Sequence, residues 1–410
     1  MTVSGPPDVA RLEAEAERLL RFGLAGRHPA GGFAWLGDDG TADLDRDVEL
    51  WITCRMTHVY ALGHLLGFEG AADLVDHGVA ALTGRFRDTD HGGWYAAVGP
   101  DGPSTSTKGA YEHAFVVLAA SSAVVAGRPG VEVLLAEALD VQERHFWDED
   151  DGVVVDTYLD PSFELLEEYR GANANMHTVE AYLAAADVTG DRRWLDRAER
   201  IVHRFVHGVA GGHGWRLPEH FDPTWRPLLD YNRANPDHPF RPYGATVGHA
   251  FEWARLALHL DAALGGDGGQ ACSDAASLFD RAVADGWQVD GAPGFVYTTD
   301  WDGSPVARQR LHWVVCEAIN AAAALQRATG DTRYGEHFRA WWAHAESCFV
   351  DRSGGSWHHE LDTENRPAAG VWSGKPDLYH ALQAVLVPRA PLAPSLATAI
   401  AGGRLDGLPV

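Results

Sequence analysis

A glycine-rich turn followed by an aromatic residue returns down this 410-residue chain at nearly constant distance. It stands at Gly31-Gly32-Phe33, Gly92-Gly93-Trp94-Tyr95, Gly211-Gly212-His213-Gly214-Trp215, Gly294-Phe295-Val296-Tyr297 and Gly354-Gly355-Ser356-Trp357, with a weaker member at Asp151-Gly152-Val153. From Gly32 through Gly93, Gly152, Gly212, Gly294 and Gly355 the steps are 61, 59, 60, 82 and 61 residues. A period near 60 with one insertion is an internal repeat of six units. Such a repeat constrains the fold strongly, because each unit must bury its apolar face against its neighbours. Out of phase with these turns, helical patterns stop at Gly67, Gly127, Gly190 and Gly330, and a new helix follows at once. Gly190-Asp191-Arg192-Arg193-Trp194 and Gly330-Asp331-Thr332-Arg333-Tyr334 are near copies. Both fit a glycine stop followed by an aspartate able to cap the next helix. Each unit therefore reads as a helical hairpin.

The hairpins carry two kinds of helix. Residues 12–22 place Leu12, Ala16, Leu19 and Leu20 at helical spacing among charges, the pattern of an outer helix. Residues 70–84, 131–146, 193–206, 274–285 and 333–348 are of the same kind. Residues 51–66, 114–126, 181–188, 254–264, 318–328 and 381–387 are apolar nearly all round, as an inner ring requires. Six inner and six outer helices predict an all-α fold, an (α/α)6 barrel or toroid, as one domain over residues 1–410. An open solenoid is the alternative, but it would need polar capping repeats that the sequence lacks. The insertion, residues 220–248, is broken by Pro223, Pro227, Pro236, Pro239 and Pro242 and predicts a long lid loop over the mouth of the barrel.

Charge narrows the partners. Asp and Glu outnumber Lys and Arg by 58 to 33, a net charge of −25, which argues against nucleic acid and anionic membranes. No run of 18 apolar residues is present, so no membrane span is expected. The first 20 residues lack the basic start and apolar core of a secretory signal. Cys54, Cys272, Cys316 and Cys348 are scattered without a CxxC pair, which reads as reduced thiols and a cytoplasmic protein. A homo-oligomer is compatible with all of this.

The candidate chemistry sits where the inner helices begin. Each carries a histidine in its first turns: His58, His113, His177, His249, His312 and His380. Tyr169 to Glu180 holds the fullest example, with Asn173, Asn175 and the pair His177 and Glu180 at a helix mouth expected near residues 174–176. His249 and Glu252 repeat that spacing, Arg55 precedes His58 by three, and Tyr111, Trp313, Glu317 and Trp372 lie close to the same ends. Parallel inner helices would bring all six histidines to one rim. Phosphate loops, nucleophile elbows and nucleotide fingerprints are absent. Imidazoles facing a polyhydroxylated ligand suit proton transfer at a carbon beside a carbonyl, which is aldose–ketose isomerisation or C2 epimerisation. A hydrolase would want two carboxylates across a glycosidic bond. The two HxxE pairs could ligate a metal, but hydrogen bonding explains the same spacing, and no metal is expected.

Longer motifs resemble a known family. Residues 170–181 (RGANANMHTVEA), 248–253 (GHAFEW), 312–318 (HWVVCEA) and 375–380 (KPDLYH) are similar to the N-acylglucosamine 2-epimerase superfamily, and within it to the bacterial aldose–ketose isomerases. Residues 33–37, 51–58 and 219–222 extend the likeness over nearly the whole chain. The resemblance implies an (α/α)6 barrel without cofactor and a monosaccharide substrate. It implies catalysis by His249 and His380, with Glu252 orienting His249. Arg55, Tyr111, Asn173, His177, Glu180, Trp313, Glu317 and Trp372 would hold the sugar. The sulfosugar branch carries Arg and Gln where this chain has Pro239 and Pro376, which favours interconversion of D-mannose and D-fructose, with D-lyxose and D-xylulose beside it. Sulfoquinovose isomerisation and 2-epimerisation are the alternatives.

Overall fold

The computed structural model of the chain describes residues 7–408. Outer and inner helices alternate: α1 (Val9–Gly23), α2 (Leu50–Leu65), α3 (Ala71–Thr83), α4 (Ala110–Val125), α5 (Val131–Val141), α6 (Ala172–Thr189), α7 (Arg193–Val202), α8 (Val247–Leu264), α9 (Gly269–Gly286), α10 (His312–Thr329), α11 (Thr332–Cys348) and α12 (Tyr379–Leu386). Even-numbered helices form the inner ring. They are buried on nearly every face, and runs such as Ala321–Ala324 and Ala184–Ala186 let their backbones approach closely. Odd-numbered helices bury one stripe and keep charges outside; on α1 the buried stripe is Leu12, Ala16, Leu19 and Leu20. Each fully buried Leu, Val or Phe in this double ring contributes about 1.5–3 kcal/mol.

The ring closes through the chain ends. Inner helices α2, α4, α6, α8 and α10 are hairpin partners of the outer helix that follows each, whereas α12 packs on α1. Lys375 N–H bonds the carbonyl of Leu36 at 2.8 Å, and Arg389 meets Glu13 at 2.9 Å, so the first helix completes the last hairpin. An open solenoid is thereby replaced by the expected (α/α)6 barrel.

A second regularity sets the register of the inner helices. The residues just before each of the first five pair antiparallel with the segment after the next outer helix, as in Arg170–Gly171 with His220–Phe221 and Arg310–Leu311 with Glu360–Leu361. This fixes the starts at Leu50, Ala110, Ala172, Val247 and His312. Helix α6 starts at Ala172, two residues before the expected range, because Asn175 is no loop residue. Its side chain bonds Gly171 O, Val154 N and Val154 O from inside the first turn. A short helix α13 (Leu396–Ala401), in the proline-rich end that carried no helical expectation, packs under α2, α4 and α6 and closes the opposite end of the barrel.

Candidate active site

With a common register, residues of like position stack in rings down the barrel axis. The second residues are Trp51, Tyr111, Asn173, Gly248 and Trp313; the sixth are Arg55, Phe115, His177, Glu252 and Glu317; the ninth are His58, Leu118, Glu180, Arg255 and Asn320. This is the i, i+4, i+7 face of a helix, repeated around the barrel. Trp51, Arg55, Tyr111, Asn173, His177, His249, Glu252, His312, Trp313, Trp372, Asp377 and His380 all line one cavity at the N-terminal rim.

Two imidazoles lie against one indole. The Trp313 ring lies 5.0 Å from His249 and 6.0 Å from His380, centre to centre. Only glycine fits behind that indole, since a Cβ on Gly248 would meet the ring at 2.2 Å. His249 Nδ1 contacts Glu219 Oε1 at 2.9 Å. His380 Nδ1 contacts Glu317 Oε1 at 3.2 Å. A carboxylate at Nδ1 selects the Nδ1–H tautomer and leaves Nε2 as an acceptor. Burial, and then the Arg55 charge, hold His380 well below the usual imidazole range, so it is a neutral base at pH 7. His177 and His312 are each lowered to about 4, chiefly by burial.

Arg55 spans the other wall. It bonds Asp377 at 3.3 Å and the Tyr111 hydroxyl at 3.1 Å, and it lies over Phe115 and Tyr379. Asn173 Oδ1, His312 Nε2, Trp372 Nε1 and Glu252 Oε1 are buried without a hydrogen-bond partner. Unpaired buried polar atoms are costly, and several converging on one cavity suit a ligand dense in hydroxyls. The lid covers this mouth. Phe240 sets its ring against Trp51, Tyr111 and Trp372. Arg241 anchors the lid through Glu167 at 2.8 Å and Asp156 at 3.3 Å.

Three sequence expectations need correction. The six histidines do not share one rim, because they occupy different turns of their helices. His113 is structural: its Nε2 accepts from Trp94 N, and its Nδ1 meets Gly109 O, tying down the glycine-aromatic turn. Thr53 and Asn175 do the same work at the fourth position of α2 and α6. His58 lies a turn below the rim, against Ser122 at 2.7 Å, in a second cavity floored by Leu392–Ala397. The orienting carboxylate of His249 is Glu219, not Glu252. Glu252 instead lies 3.8 Å from His177 and 3.6 Å from Arg255.

Glu180 and Glu317 are also placed below the cavity rather than on its wall. Glu180 accepts from the Tyr379 hydroxyl and from Gln383 at 2.9 Å. Burial pushes its carboxyl up, but His177 and Arg255 outweigh that and leave it below the ordinary carboxylate range. Among the described residues, His177, Glu180 and Glu252 are the group whose ligand atoms gather closely enough for a metal ion, all within 4.8 Å. Arg255 already places a cation beside two of these carboxylates, at 3.9 Å and 3.6 Å. Sequence reading assigned no role to Glu219, Asp377, Tyr297, His359 or Arg255.

Paired imidazoles, each backed by a carboxylate at the mouth of a helical toroid, suit acid–base chemistry on a polyhydroxylated substrate. The chain belongs to the N-acylglucosamine 2-epimerase family, whose model matches residues 31–384. It is 55% identical over 394 residues to a D-mannose isomerase of Thermobifida fusca, covering 96% of this chain and 97% of that protein. It is 50% identical over 396 residues to a D-mannose isomerase of Pseudomonas cannabina pv. alisalensis, covering 95% of each. A crystal structure of a D-mannose isomerase superposes with a TM-score of 0.87 at 29% identity, covering 94% of this chain and 99% of that one. A cellobiose 2-epimerase from Spirochaeta thermophila shares the fold, with a TM-score of 0.82 at 22% identity. Among the described residues, no helix is long and apolar enough to cross a membrane.

Proposed function

We propose that this chain interconverts D-mannose and D-fructose through a cis-enediol, without cofactor. The carrying observation is the pair His249 and His380, both in ring contact with Trp313 and each with Nδ1 engaged by a carboxylate. In the open-chain aldose, His380 Nε2 takes the proton from C2 as the C1 carbonyl oxygen gains one, forming the enediol. The same imidazolium then returns its proton to C1 while the C2 hydroxyl loses its own, leaving the ketose. His249 serves the oxygens: it moves the proton that opens the ring and the one exchanged between O1 and O2. Arg55, Tyr111, Asn173, His177 and Trp372 hold the remaining hydroxyls, and the buried unpaired atoms of the cavity support this.

The lid supports an unsubstituted sugar. Pro239 offers no charge to a sulfonate, and Arg241 is engaged by Glu167 and Asp156. Incubation with D-mannose, with products separated by chromatography, tests the reading. D-fructose is expected. D-glucose as product would make the enzyme a 2-epimerase, and turnover of sulfoquinovose alone would overturn the substrate.

A further inference from the structure

We infer that Arg255, one layer below the cavity, is a positioning residue for this isomerisation, its guanidinium holding the Glu317 carboxylate that holds the His380 ring. The inference rests on the isomerase reading above. Arg255 lines the lower cavity, not the sugar cavity, so it touches no substrate. Its side chain is 3% exposed. Its Nε donates to Glu317 Oε2 at 3.0 Å, and Glu317 Oε1 faces His380 Nδ1 at 3.2 Å. Asn320 Nδ2 completes the shell at 3.4 Å. The chain Arg255–Glu317–His380 is therefore continuous from the ninth-residue ring to the rim.

The guanidinium has a second task. Glu180, Glu252 and Glu317 all point at it, three carboxylates around one cation. Three unscreened buried carboxylates cannot all stay ionised. Burial already pushes the Glu252 carboxyl well up, and Glu317 adds to that. Without Arg255 the Glu317 carboxylate would lose the donor that fixes its Oε2 and could turn its Oε1 away from His380. The imidazole would then lose the bond that fixes its tautomer. The other charged or titratable groups facing this network include Arg55 and His58 on α2, His177 on α6, His259 on α8, His312 and Cys316 on α10, His359, Asp377 and Tyr379. None of them bonds Glu317, so none replaces the guanidinium.

The test uses the full chain with Arg255→Gln and Arg255→Lys. Rates on D-mannose are followed from pH 5 to 9, and histidine-labelled NMR follows the His380 ring, assigned by its loss in His380→Asn. Arg255→Gln is expected to lower kcat by about tenfold to a hundredfold with KM changed less than about twofold. Its acid limb moves to higher pH, and the His380 Nδ1–H signal gives way to a mixture of tautomers. Arg255→Lys recovers part of kcat, since it restores charge but not the fork geometry. A wild-type kcat in Arg255→Gln overturns the inference. So does a loss of activity with an unchanged pH profile and unchanged His380 tautomer, which would mean a purely structural role. Should Arg255→Gln fail to fold, Arg255→Lys decides: a kcat lowered by about threefold or more with an altered His380 signal supports it, and a wild-type kcat or an unaltered His380 signal overturns it. If the unaltered enzyme makes no fructose, the substrate reading falls, while the NMR arm still judges Arg255.

Discussion

His249 and His380 face the same cavity but are held by different parts of the molecule. Glu219, which holds His249, lies in the segment that leads into the lid, beside the strand pair His220–Phe221. Glu317, which holds His380, lies on an inner helix and is itself held by Arg255. One imidazole is tied to the part of the barrel that admits the sugar. The other is tied to its buried, charged axis. The difference fits the proposed division of work, in which carbon-bound hydrogen is moved on the buried side, where a neutral base keeps its geometry, and oxygen-bound protons are moved nearer the lid.

The largest effect expected is on the buried side. His380→Asn should lower isomerisation by about a hundredfold to ten-thousandfold and abolish deuterium exchange at C2, while sugar binding, read by calorimetry, persists. Retained exchange would move the base elsewhere. On the lid side, Glu219→Gln should cost about tenfold in kcat, because it frees the His249 ring without removing it. A loss equal to that of His380→Asn would erase the proposed division.

Acid should strike the buried side as a loss of stability. His58, His177 and His312 titrate at about 4 and His113 at about 3 in the fold, all chiefly through burial, against 6.5 for a free imidazole. Between these values the unfolded chain binds more protons, so stability is full above pH 6.5 and falls as pH drops toward 4. Each such histidine contributes up to about 1.4 kcal/mol per pH unit. The melting temperature should therefore decline steadily from pH 6.5 to pH 5; a flat profile would mean that these rings are charged in the fold. The smallest effect expected is none: chelator treatment should leave the rate unchanged. Loss of activity restored by a divalent ion would make His177, Glu180 and Glu252 a metal site.

The barrel was legible because its repeat is written in glycines and aromatics, and because inner and outer helices differ in how far their apolar residues wrap. The chemistry was legible less evenly. His249, His380, Arg55 and Trp313 stood out as motifs, and the structure brings them to one cavity. Spacing misled where two residues lay three apart: His249 and Glu252 share a helix face, yet the partner of His249 arrives from another segment, 30 residues earlier in sequence. Local spacing cannot report a contact made by tertiary folding. His113 misled for a related reason, since the register of α4 places its ring against the Trp94 turn instead of the cavity.

The most direct test of the whole account is proton NMR of D-mannose with the enzyme in deuterated water. The account predicts D-fructose carrying at most one solvent deuteron, at C1, with some C1 hydrogen transferred from C2, and in His380→Asn no C2 exchange and product formed at least about a hundredfold more slowly. Fructose formed at an undiminished rate by His380→Asn, or sugar bound with no hydrogen ever moved by the unaltered enzyme, would contradict it.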